Sequence, residues 1–233
     1  MHKGHKHFKT VVGDIEQGYL LDVLNTHKQS EVIEALMQQP SHVREQVEQV
    51  SIDMWGGFPK VIEKVFPNAT LVYDRFHVMQ MVNKALNKLR KQSGITTKGS
   101  RTLLLTNAED LLQKDQLQLQ SILNQSPCLQ IAYEMKEEFR QIYQTSSTPQ
   151  VARQKFQKWL KFAQLFYWDV CQTIKKHMDG ICNYFINRTT SGTMEGINNK
   201  CRVVMRRAYG FRNFENLRSR LLAAFYDKQK LSP

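Results

Sequence analysis

The first third of the chain alternates between short runs with the two-residue period of β-strands and runs with helical spacing. The pattern predicts strands at residues 7–15, 19–24, 47–53 and 69–74 and helices at residues 30–39 and 58–66. Gly18 ends the short segment between the first two strands, as is typical of a hairpin turn. The last two strands are joined through a helix, which favours a parallel βαβ unit.

From residue 77 onward the apolar positions follow the 3.6-residue period of helices. Helices are predicted at residues 78–90, 109–123, 127–143, 149–177, 193–209 and 214–226, with a loop at residues 92–100. Ser126 and Thr148 each precede a proline and are good helix starts, Asn213 is a predicted cap, and Gly210 is a natural residue after a helix end. The chain is therefore predicted to be an α/β protein with a long helical part.

Two acids stand at the ends of predicted strands. Asp53 and Asp74 each close a strand, and functional groups gather at the carboxyl ends of parallel strands. An Asx turn or a helix cap is the alternative interpretation of Asp53. Asp74 is followed by His77 in a D-x-x-H spacing, which fits either a capping carboxylate that orients the imidazole or part of a metal site.

Glu195 is the one acid within residues 191–214, a stretch with five Lys and Arg residues. On a helix it shares a face with Asn198, Asn199 and Arg202, whose donors suit phosphate oxygens. Gly196 permits the close approach of a ligand. The alternative is a carboxylate placed there because it favours a helix N-terminus. Acids at strand ends together with an acid on a basic helix fit Mg²⁺ and phosphoryl transfer.

The charge balance indicates a polyanionic partner. In 233 residues, 33 Lys and Arg stand against 21 Asp and Glu, giving a net charge of +12. Basic proteins of this kind commonly bind nucleic acid, and a solubility charge without a partner is the alternative. No apolar run reaches the ~18 residues of a membrane span, and the N-terminus lacks the apolar core of a signal peptide. Four cysteines without C-x-x-C spacing are typical of a reduced cytoplasmic chain.

Two long stretches carry a resemblance to a known family. VSIDMWGGFPKVIEKVFPNATLVYDRFHV (residues 50–78) and SGTMEGINNKCRVVMRRAYGFRNFENLRSR (residues 191–220) resemble the catalytic domain of ISL-three insertion-sequence transposases, which are DDE enzymes with an RNase H-like fold. KGHKHFKTVVGDIEQG (residues 3–18) is similar to the family's second and third strands. The resemblance covers essentially the whole chain.

The resemblance implies roles for individual residues. It places the second catalytic, metal-binding aspartate at Asp53 and the catalytic, metal-binding glutamate at Glu195, with Mg²⁺ or Mn²⁺ as the cofactor. Asp74 and His77 are expected to support the site, and Asp74 as the second ligand is an open alternative. The expected DNA-binding residues are Asn198, Asn199, Lys200, Arg202, Arg206 and Arg207.

The resemblance also implies an architecture: an RNase H-like core at residues 1–77, a helical insertion at 78–178 and the last helices of the core at 179–233. The chain begins at the family's K-G-H turn, so the first strand and its catalytic aspartate are expected to be absent. Asp14 and Asp22 do not occupy the matching position and are interpreted as structural. We therefore expect this chain alone to have little strand-transfer activity.

The leading hypothesis is a truncated transposase catalytic domain whose intact enzyme cleaves and joins DNA. The alternatives are a non-catalytic DNA-binding remnant, an inhibitor of the full-length transposase, and an unrelated RNase H-like nuclease. The expected partner is DNA, as transposon ends and target, with no membrane and with a possible homo-oligomer. The expected location is the bacterial cytoplasm, at the nucleoid when the protein is bound to DNA.

Overall fold

The computed structural model describes residues 9–54, 57–188 and 192–226, which form two compact units. The first, here called the hairpin unit, contains residues 9–50, 57–70 and 192–226. The second, the helical unit, contains residues 51–54 and 71–188.

Strands and helices are mixed, and helices predominate. The strands are β1 (Thr10–Asp14), β2 (Tyr19–Leu24), β3 (Gln49–Ile52) and β4 (Thr70–Tyr73). The helices are α1 (Gln29–Met37), α2 (Ser41–Glu45), α3 (Phe58–Val65), α4 (Arg75–Gln92), α5 (Ser100–Leu105), α6 (Gln113–Leu123), α7 (Pro127–Thr145), α8 (Pro149–Ala163), α9 (Trp168–Lys176), α10 (Met178–Cys182), α11 (Tyr184–Asn187), α12 (Gly192–Arg207) and α13 (Phe214–Phe225), with a 3-10 turn at Ala108–Asp110. Among these, no helix is long and apolar enough to cross a bilayer.

The predicted hairpin is confirmed. β1 and β2 pair antiparallel from Thr10 opposite Leu24 to Asp14 opposite Tyr19. Gly18 has a φ of 72°, which glycine adopts without strain. The Asp14 carboxylate accepts hydrogen bonds from the backbone N–H groups of Glu16 and Gln17, both at 2.9 Å. Asp14 therefore closes the turn, as its structural interpretation required.

Helices α12 and α13 cover the apolar residues of the hairpin. The buried side chains of this layer are Leu20, Val23, Ile197, Cys201, Leu217 and Leu221. Asp22 lies on the same strand and accepts a hydrogen bond from Arg218 Nε at 2.7 Å, so it too has a structural contact. A smaller cluster of Val32, Val61 and Val65 joins α1 to α3.

β3 and β4 form the predicted βαβ unit through α3. The Thr70 N–H donates to Glu48 O at 2.8 Å, and the Asp74 N–H donates to Ile52 O at 3.0 Å. Both bonds advance in the same direction along the two strands, as in parallel pairing. Both strands contribute residues to the hairpin unit and to the helical unit.

The helical unit is built around α7. The rings of Phe139 and Tyr143 on this helix pack against Phe156 of α8 at centroid distances of 5.2 and 5.5 Å, and Tyr143 stacks on Phe185 at 5.4 Å. The same helix buries Lys136, Glu137 and Arg140. Both cations form ion pairs with Glu137, and Arg140 also pairs with Glu109 at 2.9 Å. Buried charges are tolerated because each has a partner.

The prediction of one helix over residues 149–177 is wrong, because the chain turns between α8 and α9. Tyr167 is 1% exposed, and its hydroxyl donates to Ala132 O at 2.5 Å, so the core draws this residue inward and interrupts the helix. Helices α2, α5, α10 and α11 were not predicted. They are four to six residues long, too short for a periodic signal.

The helix caps predicted at Ser126, Thr148 and Asn213 are confirmed, whereas a cap at Ser30 is wrong because α1 begins at Gln29 and has no side-chain cap. The Ser126 and Thr148 hydroxyls accept from backbone N–H groups at 3.3 Å, and the Asn213 side chain accepts from Glu215 N at 2.8 Å. Gly210 follows α12 with a φ of 106°. The mixed α/β class is confirmed, whereas the RNase H-like fold and the division at residues 77 and 178 stay predictions.

Two helical glycines give opposite expectations for alanine. A Cβ at Gly180 would lie 2.7 Å from Cδ2 of the buried Tyr73 ring, whereas a Cβ at Gly196 meets nothing within 4 Å. We expect Gly180→Ala to destabilise the protein by about 1–3 kcal/mol through overpacking. Gly196→Ala serves as the control and should stabilise it by up to about 1 kcal/mol through helix propensity.

Urea unfolding followed by circular dichroism measures both changes. Equal stability of the two variants would contradict the close packing of α10 on β4.

Candidate functional site

Two of the candidate acids lie at the carboxyl edge of the parallel strand pair. Asp53 follows the last residue of β3, and Asp74 follows the last residue of β4. The hydrogen bond from Asp74 N to Ile52 O places the two strand ends side by side in the helical unit. Asp53 is exposed, whereas Asp74 is 3% exposed. These different surroundings suit different roles.

Asp74 caps α4 and orients His77. One carboxylate oxygen accepts from the backbone N–H of Phe76 at 2.9 Å, and the other lies 2.8 Å from His77 Nδ1. Both oxygens are thus engaged by the first turn of the helix. The imidazole side chain keeps 38% of its surface exposed. Of the interpretations left open by the D-x-x-H spacing, this geometry matches the capping carboxylate that orients an imidazole.

Residues more than a hundred positions later in the chain form hydrogen bonds with β4. The Tyr73 hydroxyl lies 2.7 Å from His177 Nδ1, and Asn183 Nδ2 donates to Leu71 O at 2.8 Å. Burial lowers the pKa of His177, which favours the neutral ring in this contact. Sequence reasoning missed these partners because they lie more than a hundred residues away and inside helical patterns.

Tyr143 is a further buried group next to Asp74. The Arg75 guanidinium lies over its ring at 5.4 Å, and burial raises the pKa of the Tyr143 hydroxyl well above its ordinary value. This hydroxyl is fully buried and has no hydrogen-bond partner in the part of the chain that the structure describes. Its place on the buried face of α7 follows from the apolar periodicity, but its proximity to Arg75 does not.

Glu195 lies in the first turn of α12, in the hairpin unit, and is exposed. The opposite face of the helix buries Ile197 and Cys201 against the hairpin. Gly13 on β1 allows this close packing, because a Cβ there would lie 2.8 Å from Met194 Sδ. The packing of α12 therefore turns Glu195 toward solvent.

The exposed face of α12 is basic. Asn199, Lys200, Arg202, Arg206 and Arg207 are exposed, and Asn198 is half-buried. Arg202 Nη1 donates to Asn199 Oδ1 at 2.8 Å, which aligns the guanidinium with the neighbouring amide. Lys200 Nζ lies 4.3 Å from the Phe225 ring centroid. Over residues 192–226, no cation of α12 forms an ion pair with a carboxylate.

The predicted site residues are thus shared between the units. Asp53, Asp74 and His77 belong to the helical unit, where Asp74 and His77 are in contact, and Glu195 and the predicted DNA-binding residues belong to the hairpin unit. Within either unit, the described residues include no group of three or more His, Cys, Asp or Glu side chains placed to hold a metal ion. Asp53 and Glu195 nevertheless have the donor chemistry of a magnesium ligand, an exposed carboxylate oxygen.

Comparison with known proteins finds similarity to a family of transposases. A family model with the description "Transposase", for the ISL-three group, matches residues 1–221. The transposase for insertion sequence element IS1001 of Bordetella parapertussis is 28% identical over 97% of this chain and 59% of that protein. The transposase for IS1557 of two Mycobacterium tuberculosis strains is 24% identical over 91% of this chain and 55% of that protein. The chain spans less than two-thirds of these relatives, and no solved structure matches it.

The two functions of Asp74 can be separated by substitution. Asp74→Ala removes the cap and the His77 contact, so we expect a loss of about 1–2 kcal/mol in unfolding free energy. Asp74→Asn keeps a good capping group and should recover most of that loss. Ser126→Ala is the control because it removes a helix cap without a histidine partner.

The imidazole tautomer reports the second function. Nitrogen-15 NMR should show the Nδ1–H form of His77 in the wild type and a mixture in Asp74→Ala, because the carboxylate selects the protonated nitrogen. An unchanged tautomer in Asp74→Ala would contradict the orienting role.

Proposed function

Because this chain belongs to the ISL-three family of transposases, we propose that it forms part of the catalytic region of an insertion-sequence transposase with an RNase H-like fold. One observation carries the proposal. Glu195 stands exposed at the start of a helix whose other ionic side chains are all cations. A carboxylate beside cations that can bind phosphate is an arrangement that suits metal-dependent phosphoryl transfer.

The proposal assigns metal-binding roles to Asp53 and Glu195. Both side chains are exposed, and both offer the hard oxygen ligands that Mg²⁺ or Mn²⁺ prefers. Asp53 and Glu195 would hold such an ion, which would supply Lewis-acid activation of a water or 3′-hydroxyl nucleophile and neutralise charge on the scissile phosphate. Asp74 serves as a positioning residue, since it fixes the first turn of α4 and the ring of His77.

The basic face of α12 is proposed to bind the DNA backbone. Guanidinium and amide donors recognise phosphate oxygens, and the contact between Arg202 and Asn199 holds two of these donors in register. Lys200, Arg206 and Arg207 extend the cationic surface, and Asn198 adds an amide beside it. A second acid on this face would repel the phosphates, which explains why Glu195 stands alone.

The proposed substrates follow from this chemistry. The transposase acts on DNA at the ends of an insertion sequence and on target DNA, which places it at the bacterial nucleoid when bound. The relatives act for insertion sequence elements according to their names. Two DNA ends and one target are most simply held by more than one copy of the protein, so a homo-oligomer belongs to the proposal.

Metal binding tests the assigned carboxylates. Asp53→Asn and Glu195→Gln should each weaken Mn²⁺ binding at least about tenfold, because loss of a ligand costs no less than loss of an outer-shell partner. Manganese titration followed by electron paramagnetic resonance gives the affinity. Asp169→Asn and Glu63→Gln remove exposed carboxylates from the same two units and serve as controls. Equal affinities in all four variants would remove the metal-binding assignment.

DNA binding tests the basic face of α12. The double variant Arg206→Gln/Arg207→Gln should reduce the slope of log K against log salt by about 2, because each lost phosphate contact removes about 0.9. Lys60→Gln/Lys64→Gln removes two exposed cations from α3 of the same unit and is the matched control.

Fluorescence anisotropy with a labelled duplex at 50–200 mM salt measures these slopes. The same slope in both double variants would contradict the assignment of α12. Normal DNA binding without any metal binding would favour the non-catalytic alternative.

A further inference from the structure

A second basic surface lies in the helical unit and contains none of the residues assigned so far. An open groove of about 660 Å³ is lined by Gln154, Gln157, Lys158, Lys161, Gln164 and Lys175, which belong to α8, α9 and the turn between them. Leu160 completes the lining, which among the described residues includes no Asp or Glu. Its composition, lysines interleaved with amides, is that of a surface for an anionic ligand.

The lysines of this groove are available for a ligand. Helix α8 contains no acid, and its cations are Arg153, Lys155, Lys158 and Lys161. Arg153 pairs with Asp179, and Lys155 donates to Thr145. Lys158, Lys161 and Lys175 are exposed, and within residues 57–188 they form no ion pair with a carboxylate.

The positions of the lining residues follow from the helix spacing of α8 and from the turn between α8 and α9. Residues 154, 157, 158 and 161 share one face of α8, because they follow the i, i+3, i+4, i+7 spacing. The buried Tyr167 fixes the turn that brings α9 back along this face, through its hydrogen bond to Ala132. Lys175 Nζ lies 3.5 Å from Gln164 Oε1, so the two helices meet at this end of the groove.

A large exposed aromatic side chain lies on the face of α9 that carries Lys175. Trp168 is 59% exposed and lies seven residues before Lys175, so both occupy one face of α9, about 10 Å apart along its axis. The acid of α9, Asp169, lies in the first turn, where it favours the helix N-terminus. An exposed indole on the same helix face as a groove lysine is a combination that suits unpaired nucleotides, since the ring can stack on a base while the cations hold phosphates.

We propose that this groove binds a single strand of DNA. Lys158, Lys161 and Lys175 contact successive phosphates, the glutamine amides hydrogen-bond to phosphate or base oxygens, and Trp168 stacks on an unpaired base. The inference rests on the proposed function, because strand cleavage and joining expose unpaired ends. It adds a DNA contact in the helical unit that is separate from α12.

Binding of two probes by the full chain tests the inference. The probes are a fluorescein-labelled 20-nucleotide single strand and the matching duplex, and the affinity is measured at 50–200 mM salt. Lys158→Gln/Lys161→Gln/Lys175→Gln should lower the single-strand salt slope by about 2, at about 0.7 for each phosphate contact. Lys88→Gln/Lys98→Gln/Lys114→Gln removes three exposed lysines elsewhere in the same unit and should change the slope by less than half as much.

Substitution of Trp168 distinguishes the stacking contribution to DNA binding from the electrostatic contribution. Trp168→Ala should weaken single-strand binding about tenfold and leave duplex binding within about twofold, because stacking on an aromatic ring requires an unpaired base. Tyr226→Ala removes a ring that is 62% exposed in the hairpin unit, and it should leave the single-strand affinity unchanged.

The outcomes distinguish the two proposals. Equal losses in the groove and control triples, or equal effects of Trp168→Ala on both probes, would overturn the groove assignment while leaving the α12 assignment intact. A wild-type chain that binds neither probe would overturn both. Loss of single-strand binding in the groove variants, with the α12-dependent duplex slope retained, would establish the second surface.

Discussion

The anchoring of strand β4 is the constraint on which the candidate site of the helical unit depends. Tyr73 packs against Gly180 with no room for a methyl group and contacts His177 through its hydroxyl, while Asn183 binds the carbonyl oxygen of Leu71. The next residue, Asp74, then caps α4 and holds His77. The positions of Asp74, His77 and the neighbouring strand end are consequently set by helices α9 to α11. The proposed phosphoryl-transfer role would need side chains held within fractions of an ångström, and this packing is suited to hold them.

Charged side chains are paired in the core, whereas many of the described ones on the surface are not. In the core, Lys136, Glu137 and Arg140 form a paired set, because an unpaired charge there would be costly. On the surface, the lysines of α8 and the lysine and arginines of α12 have no carboxylate partner among the described residues. Helix α8 has four cations and no acid, and α12 has four cations and one acid, so each unit has a locally basic helix. Such a distribution attracts a polyanion and orients it, whereas an even distribution would only attract it.

Several features that depend on residues close together in the sequence were predicted correctly. The glycine turn, three helix caps and the contact between Asp74 and His77 each involve residues at most four positions apart in the sequence. Each was predicted from the sequence. The interruption between α8 and α9 depends on a hydrogen bond between Tyr167 and Ala132, 35 residues apart, and no periodicity reports it. The contact between Tyr73 and His177 spans 104 residues and was missed for the same reason. The metal-binding roles of Asp53 and Glu195 come from a family resemblance and remain predictions.

The discontinuous hairpin unit has a consequence for biosynthesis. Leu20 and Val23 leave the ribosome well before Ile197 and Cys201, the residues that cover them, because the whole helical unit is translated in between. At 5–20 residues per second this delay is roughly 10–35 s, much longer than the time in which a hairpin forms. The nascent hairpin therefore spends that time with its apolar side uncovered. Chaperone capture of the half-made chain would protect it until the last two helices emerge.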